Sequence, residues 1–300
     1  MFREDRTTRA LLGNHGDSFL STQQIERMRM SRKDPSQQSE PVDKAGEMLE
    51  PLPKGEGFRF ACHQGVRCFT DCCRDLHLVL TPYDVLRVRN ALAMDSTAFL
   101  EGHTVQEMDP TWKIPVVRLK MEENAIRSCP FVTQEGCRIY EDRPGACRAY
   151  PLGRAARRSP SPSKASSVEE EYFLVREAHC FGFEEGVEWT PEAWMQDQGL
   201  VVYNEMNDLW MAFLSRYKPG SRQDLAPPQW KMFFMACYSL DRFREFVFGT
   251  RFLSLFSIPE ERQERLREDD RALLEFAYEW LAYSLFKDPV LELRQAQGIR

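Results

Sequence analysis

The sequence lacks several features that would assign it a common function. No run approaches the ~18 consecutive apolar residues of a membrane-spanning helix, so no membrane span is expected. The opening stretch, MFREDRTTRALLGNHGDSFL, mixes acids with arginines and has neither a continuous apolar core nor a small-residue cleavage site. It therefore does not read as an export signal. No G-x-G-x-x-G, P-loop or radical-type C-x3-C-x2-C is present, so the motif signatures of nucleotide and radical chemistry are missing. Excess basic charge is missing too. Lys and Arg number 40 against 46 Asp and Glu, a net charge of -6, whereas general nucleic-acid binding needs a concentrated basic face. The densest basic run, Arg154 to Arg158, leads into a Ser/Pro stretch and reads as solvated linker. There is no internal repeat of solenoid type.

The pattern along the chain predicts a mainly α fold with minor β. Residues 1–54 are polar, charged and poor in aromatics, and read as a disordered arm carrying one short amphipathic helix at Thr22 to Arg32. Order is expected from Phe58. A cysteine domain over residues 55–186 should contain short strands at LHLVL and IPVVRLKMEE. It should also contain a helix starting at Thr81-Pro82 and another at Asp95 or Ser96. Within it, RRSPSPSKASSVEEE at residues 157–171 is a low-complexity break, read as a flexible insertion. Residues 187–300 are predicted helical, with segments from Thr190 towards Phe213, from Pro228 to Phe248 and from Pro259 to Phe286. Their apolar residues (Trp210, Phe213, Phe233, Phe234, Phe276, Trp280) recur at helical spacing and read as the core of a bundle on which the cysteine domain packs.

Cysteine is what the sequence does have, with nine in the chain. Without an export signal the expected compartment is the cytoplasm, where clustered thiols bind metal more often than they form disulfides. Eight fall in two groups, Cys62-x5-Cys68-x3-Cys72-Cys73 and Cys129-x7-Cys137-x9-Cys147, with Cys180 beyond the insertion. Thiolate is a soft donor suited to zinc, Cu(I) and iron–sulfur clusters, and four thiolates complete a tetrahedral zinc or a cubane. Consecutive side chains such as Cys72 and Cys73 tend to point apart. They suit two four-ligand sites, or one shared polynuclear site, better than a single chelate. The spacings match neither a zinc finger nor a ferredoxin run, so they leave iron and zinc both open. Cys237, among Phe233, Phe234 and Tyr238, reads as a buried small hydrophobe. His63 beside Cys62 and His179 beside Cys180 are candidate substitute ligands, although an ordinary polar role is the commoner one.

The blocks CFTDCCRDLHLVLTPYDVLRVRNAL, CPFVTQEGCRIYEDRPGACRAYPLGR and HCFGF resemble the YkgJ-type cysteine-cluster family, a zinc- or iron-chelating domain of CxxCxxCC type. The resemblance implies Cys62, Cys68, Cys72, Cys73, Cys129, Cys137, Cys147 and Cys180 as chelators. The chain departs from the family in the wider spacing of its first group and in the Ser/Pro insertion before Cys180. Arg143 and Arg148, in the matched block, would lie close to a negative centre and partly neutralise it. An alternative pairs them at the surface with Glu141 and Asp142. Three functions follow as expectations. The first is an iron–sulfur redox or catalytic protein that draws on a protein partner or electron donor. The second is a structural zinc module whose helical half binds another protein. The third is a protein-modifying enzyme like the flagellin lysine methylases, in which a related cysteine cluster occurs. No nucleic-acid partner is expected.

Overall fold

The computed structural model describes residues 49–109, 114–158, 168–216 and 225–294. The arm's predicted helix at Thr22 to Arg32 and the centre of the Ser/Pro segment lie outside the described residues. The strands are β1 (Leu49–Leu52), β2 (Phe58–Phe60), β3 (Val79–Leu80), β4 (Thr104–Met108), β5 (Pro115–Leu119), β6 (Val132–Thr133), β7 (Gly136–Cys137), β8 (Leu152–Arg158), β9 (Val168–Val175) and β10 (Val187–Trp189). The helices are α1 (Pro82–Ala91), α2 (Ser96–His103), α3 (Gly145–Ala149), α4 (Pro191–Asp197) and α5 (Leu200–Leu214), followed by α6 (Pro227–Tyr238), α7 (Leu240–Gly249), α8 (Phe252–Leu255), α9 (Glu260–Glu268) and α10 (Asp270–Phe286). The expected mainly helical fold with minor strand is what is observed. Strand orders are β1-β9-β8, β3-β5-β4, β10-β2 and β6-β7.

Local chemistry accounts for the helix starts. Thr81 accepts the Asp84 N–H while the Asp84 carboxylate accepts the Thr81 N–H at 2.8 Å, with proline at the first helical position. Asp95 caps α2 by accepting the Ala98 N–H, and Thr190 caps α4 by accepting the Ala193 N–H, with Pro191 following. The long C-terminal segments break where the apolar periodicity alone did not indicate. Gly199 takes φ +61 between α4 and α5. Ser239 leaves helical geometry between α6 and α7. Asp269 ends α9 and caps α10 through the N–H groups of Arg271 and Ala272.

Two corrections concern the strands. The Pro-rich tail of the arm is not wholly irregular, since β1 pairs antiparallel with β9 in the register Leu49↔Val175 to Leu52↔Tyr172. Both ends of the segment read as linker and flexible insertion are strand, since Arg154 to Arg158 belong to β8 and Val168 to Glu171 to β9. The register sets Ala155 opposite Glu171 and Ala156 opposite Glu170. Arg154 also donates to Glu170 at 2.9 Å and to Asp208 at 2.8 Å. Low complexity in the sequence concealed this cross-strand charge pattern.

The described residues cluster into two units, each discontinuous in sequence. One takes in Leu80–Val117 and the residues from Leu209 onward. The other takes in the residues up to Val79 and Arg118–Asp208. The segment holding α1 and α2, placed by the sequence in the cysteine domain, thus clusters with the C-terminal helices. Their core is aromatic, with Phe243, Phe252, Phe256, Phe276 and Trp280 essentially inaccessible and the Phe252 and Phe256 rings 4.7 Å apart. Arg89 of α1 is buried there and joined to Asp241 at 3.3 Å and Asp270 at 2.7 Å. A buried cation held by two carboxylates ties α1 to α7 and α10.

The second unit contains all eight clustered cysteines. In β2 the alternation buried–exposed–buried of Phe58-Arg59-Phe60 drives two rings into a core with Leu152, Leu174 and Trp194. Phe60 meets Phe183, Trp194 and Tyr150 edge-on, at 5.3, 5.6 and 5.9 Å between centroids. The indole N–H groups find carbonyls, Trp189 that of Phe60 at 3.1 Å and Trp194 that of Ala149 at 2.8 Å.

Candidate metal centre

The first cysteine group lies on a chain of tight turns. Leaving β2, the His63 carbonyl accepts the Val66 N–H and the Val66 carbonyl accepts the Phe69 N–H, both at 2.9 Å. Thr70, at φ +68, then turns the chain into a 3-10 helix, Asp71–Cys73, which presents the adjacent pair. The second group is joined to the first through main chain. Cys129 N–H donates to the Cys73 carbonyl at 2.8 Å, and Arg74 bridges Ser128 antiparallel. From Cys129 the chain enters the β6–β7 hairpin, where Val132 pairs with Cys137. Gly136, at φ +122, permits that turn, and a Cβ there would press on the Phe69 ring at 3.1 Å. Cys147 sits on the single turn of α3.

Cys180 returns from far along the chain. Gly182 accepts the Ala61 N–H at 3.0 Å, and the Phe181 N–H donates to Cys68 Sγ at 3.1 Å. Of the eight, Cys62 and Cys147 are exposed and the other six partly buried. Among the described residues, which include all nine cysteines, no disulfide is present. Cys237 is in the other unit, 1% exposed, and burial alone pushes its thiol well above the usual value. That matches the small hydrophobe the sequence suggested.

The thiols act on one another electrostatically. Burial first, then Cys72, Cys68 and Cys180, push Cys62 up to about 11, against the opposing pull of Arg143. A hydrogen bond from Cys73 lowers Cys72. Cys73 in turn is raised by that bond, by burial and by Cys72, Cys129 and Cys147. Burial raises Cys129 and Cys137, with Cys137 acting on Cys129 and Cys72 on Cys137. Burial likewise raises Cys180, with Cys68 beside it. These relations link all eight residues into one neighbourhood. Among the described residues, no three His, Cys, Asp or Glu side chains already stand in a geometry that could hold an ion. The thiols are neighbours that would have to rotate to close on one.

Arg143 and Arg148 are not surface arginines, each being 7% exposed. Arg143 donates to the Tyr140 carbonyl and the Gln198 side-chain oxygen and stacks on the Tyr140 ring at 3.6 Å. Arg148 donates to the carbonyls of Gln198 and Glu141 and lies over the Tyr203 ring at 5.0 Å. Tyr203 O–H donates to the Arg143 carbonyl at 3.2 Å. Burial lowers the Arg143 pKa, as does Arg148, while Tyr140, Cys137 and Cys147 favour its charge. The acceptors found for both cations are thus neutral. Buried cations ordinarily require a negative counterpart, and Cys137 and Cys147, which favour the Arg143 charge, would supply one on losing their protons to a metal.

Two buried polar atoms support the same donor chemistry. Arg148 Nε has no hydrogen-bond partner among the described residues, and the Tyr150 hydroxyl lies against the Cys180 thiol and Glu177. Burial, Cys180 and Glu177 push the Tyr150 pKa up. The histidines are engaged elsewhere. His63 Nδ1 accepts the Gly65 N–H at 3.1 Å and its Nε2 lies 3.7 Å from Glu185, while His179 Nε2 lies 3.5 Å from Glu177. Sequence reasoning missed Tyr150, Gln198, Tyr203 and the Phe181 N–H. Tyr150 and Phe181 lie within the matched blocks but are not ligand types, and only the fold brings Gln198 and Tyr203 to this region. A cleft of about 440 Å3 in the same unit, lined by Arg154, Glu170, Glu192, Glu205 and Asp208, contains none of the cysteines.

In donor type, number and charge balance the site fits a thiolate-bound metal. Residues 61–181, the stretch holding all eight clustered cysteines, match the family CxxCxxCC, described as "Putative zinc- or iron-chelating domain". No curated protein and no solved structure matches the chain. No helix among the described residues is long and apolar enough to cross a membrane.

Proposed function

We propose that the zinc- or iron-chelating segment carries an iron–sulfur centre on its eight cysteines and works as a redox or catalytic protein, exchanging electrons with a protein partner. The observation that carries the reading is the gathering of eight thiols beside two buried guanidiniums with neutral acceptors. Such a cluster, when bound, supplies one-electron chemistry at a potential set by charge, exposure and hydrogen bonds to sulfur. Each of those settings has a residue here. Arg143 and Arg148 offset negative charge. The Phe181 N–H, on Cys68 Sγ, favours the more electron-rich state. Cys62 and Cys147, both exposed, give the centre a face that a partner can approach.

A zinc centre with a structural role has its own support. The elements around the cysteines are very short: two-residue strands β6 and β7, a three-residue 3-10 helix and the five-residue α3. Structural zinc adds folding free energy directly to regions of this kind. Oxygen-free purification followed by an absorption spectrum and metal analysis separates the two. Broad absorption near ~400 nm with iron and acid-labile sulfide is the expected result. Colourless protein holding stoichiometric zinc would transfer the conclusion to the structural reading, and thiol-only protein that kept its fold would end both.

A further inference from the structure

The eight cysteines are too many for one mononuclear site, and the main chain sorts them. Ala61 N–H to the Gly182 carbonyl, at 3.0 Å, lays the Cys62 segment against the Cys180 segment. The Phe181 N–H on Cys68 Sγ, at 3.1 Å, adds Cys68 to the same corner. Cys129 N–H on the Cys73 carbonyl, at 2.8 Å, with the Arg74–Ser128 bridge, lays the second group against Cys73. The Val132 N–H on the Cys129 carbonyl, with Val132 paired to Cys137, closes the hairpin over that corner. Cys137 and Cys147 both border Arg143, which also acts on Cys62 and so lies between the corners.

Cys72 and Cys73 divide the two corners. They are adjacent on the 3-10 helix Asp71–Cys73 and their side chains are hydrogen-bonded to each other, which puts both sulfurs at the seam between the corners. The neighbours of Cys62 are Cys72, Cys68 and Cys180. Those of Cys73, other than Cys72, are Cys129 and Cys147. Cys72 also borders Cys137, so the corners abut.

We infer that the chain holds two abutting four-thiolate centres, one on Cys62, Cys68, Cys72 and Cys180 and the other on Cys73, Cys129, Cys137 and Cys147, with the Cys72-Cys73 dipeptide contributing one ligand to each. This rests on the reading of the eight thiols as ligands. It adds that the centres are separately loaded and that no sulfur is shared between them. Cys180 completes the first centre, so that centre alone depends on the chain beyond the Ser/Pro segment.

The test uses the full chain purified without oxygen, with metal counted per chain as zinc, or as iron with sulfide. Cys68→Ser and Cys137→Ser should each halve the metal content. Cys68→Ser combined with Cys180→Ser should still retain half, whereas Cys68→Ser combined with Cys137→Ser should retain none. Complete loss in either single variant, or half retained in the cross-site pair, overturns the partition. Far-UV circular dichroism identifies a variant that fails to fold, and a measurement on the unsubstituted chain then decides. Reduced apo-protein is titrated with Co2+ to two equivalents. Separate centres keep the electron paramagnetic signal per cobalt constant from the first equivalent to the second. Collapse of that signal through a bridging sulfur refutes separate centres. Native protein that binds neither its own metal nor Co2+ would instead defeat the metal reading itself.

Discussion

Serine in place of Cys147 and serine in place of Cys237 should have effects opposite to those that burial alone suggests. Cys147 is exposed on the single turn of α3, and an exposed substitution without other involvement stays within about 0.5 kcal/mol of neutral. Cys237 is 1% exposed in α6 among aromatic neighbours, where an inserted hydroxyl costs about 1–3 kcal/mol. A helical serine can donate to the carbonyl four residues back, that of Phe233, which sets the expected cost at about 1 kcal/mol. The corresponding fall in melting midpoint is about 2–4 °C for a chain of roughly this size. Cys237→Ser should therefore melt slightly earlier with metal content unchanged. Cys147→Ser removes a ligand from one of the two centres, so metal should fall by half. The lost linkage is worth about 2.7 kcal/mol for a site held at a hundredfold excess over its dissociation constant. Metal per chain and thermal melts, with and without chelator, measure both. A harmless Cys147→Ser, or equal metal loss in the two variants, would refute the ligand assignment.

Arg143→Met should weaken metal retention about 10-fold or more, the range seen when residues supporting metal ligands are removed. Chelator competition reads this directly, and unchanged retention would separate the buried guanidinium from the thiolates. Gly186→Ala should cost about 1–3 kcal/mol, because φ is +98 there and a Cβ would sit 2.4 Å from the Phe60 carbonyl. A melt equal to the parent's would show that this turn before β10 relaxes freely. Asp241 should contribute to acid sensitivity. Burial raises its pKa, but the Ser96 N–H with Arg89 and Arg244 outweighs burial and holds the carboxyl below its usual range. A carboxylate depressed on folding stabilises fully above its unfolded pKa of ~3.9 and loses that contribution as pH falls through the lowered native value. The parent should thus exceed Asp241→Asn in urea midpoint at neutral pH, with the difference closing towards pH ~2. A difference independent of pH would count against the charged interaction.

Several elements could be read from the sequence because their cause is local. Thr81-Pro82 with Asp84, Asp95, and Thr190-Pro191 each carry their own cap chemistry, and all three start helices. The burial of Cys237 follows from its apolar neighbours in α6. The breaks at Ser239 and Asp269 were hidden because apolar periodicity runs across both. Strand β1 and the ends of the Ser/Pro segment were missed for another reason: their partners lie elsewhere in the chain, and the Arg154 contacts with Glu170 and Asp208 exist only once the strands are paired.

The sequence by itself determined which donors this protein can offer: eight clustered thiols, a ninth set apart, and two arginines among them, since residue type and spacing are fixed by the chain. Tertiary structure alone decided which donors become neighbours. The Gly182–Ala61 and Cys129–Cys73 hydrogen bonds join segments far apart in sequence. The same long-range packing buries Arg143 and Arg148 against Gln198 and Tyr203, because a charge's surroundings depend on the whole fold around it and not on its position in the chain.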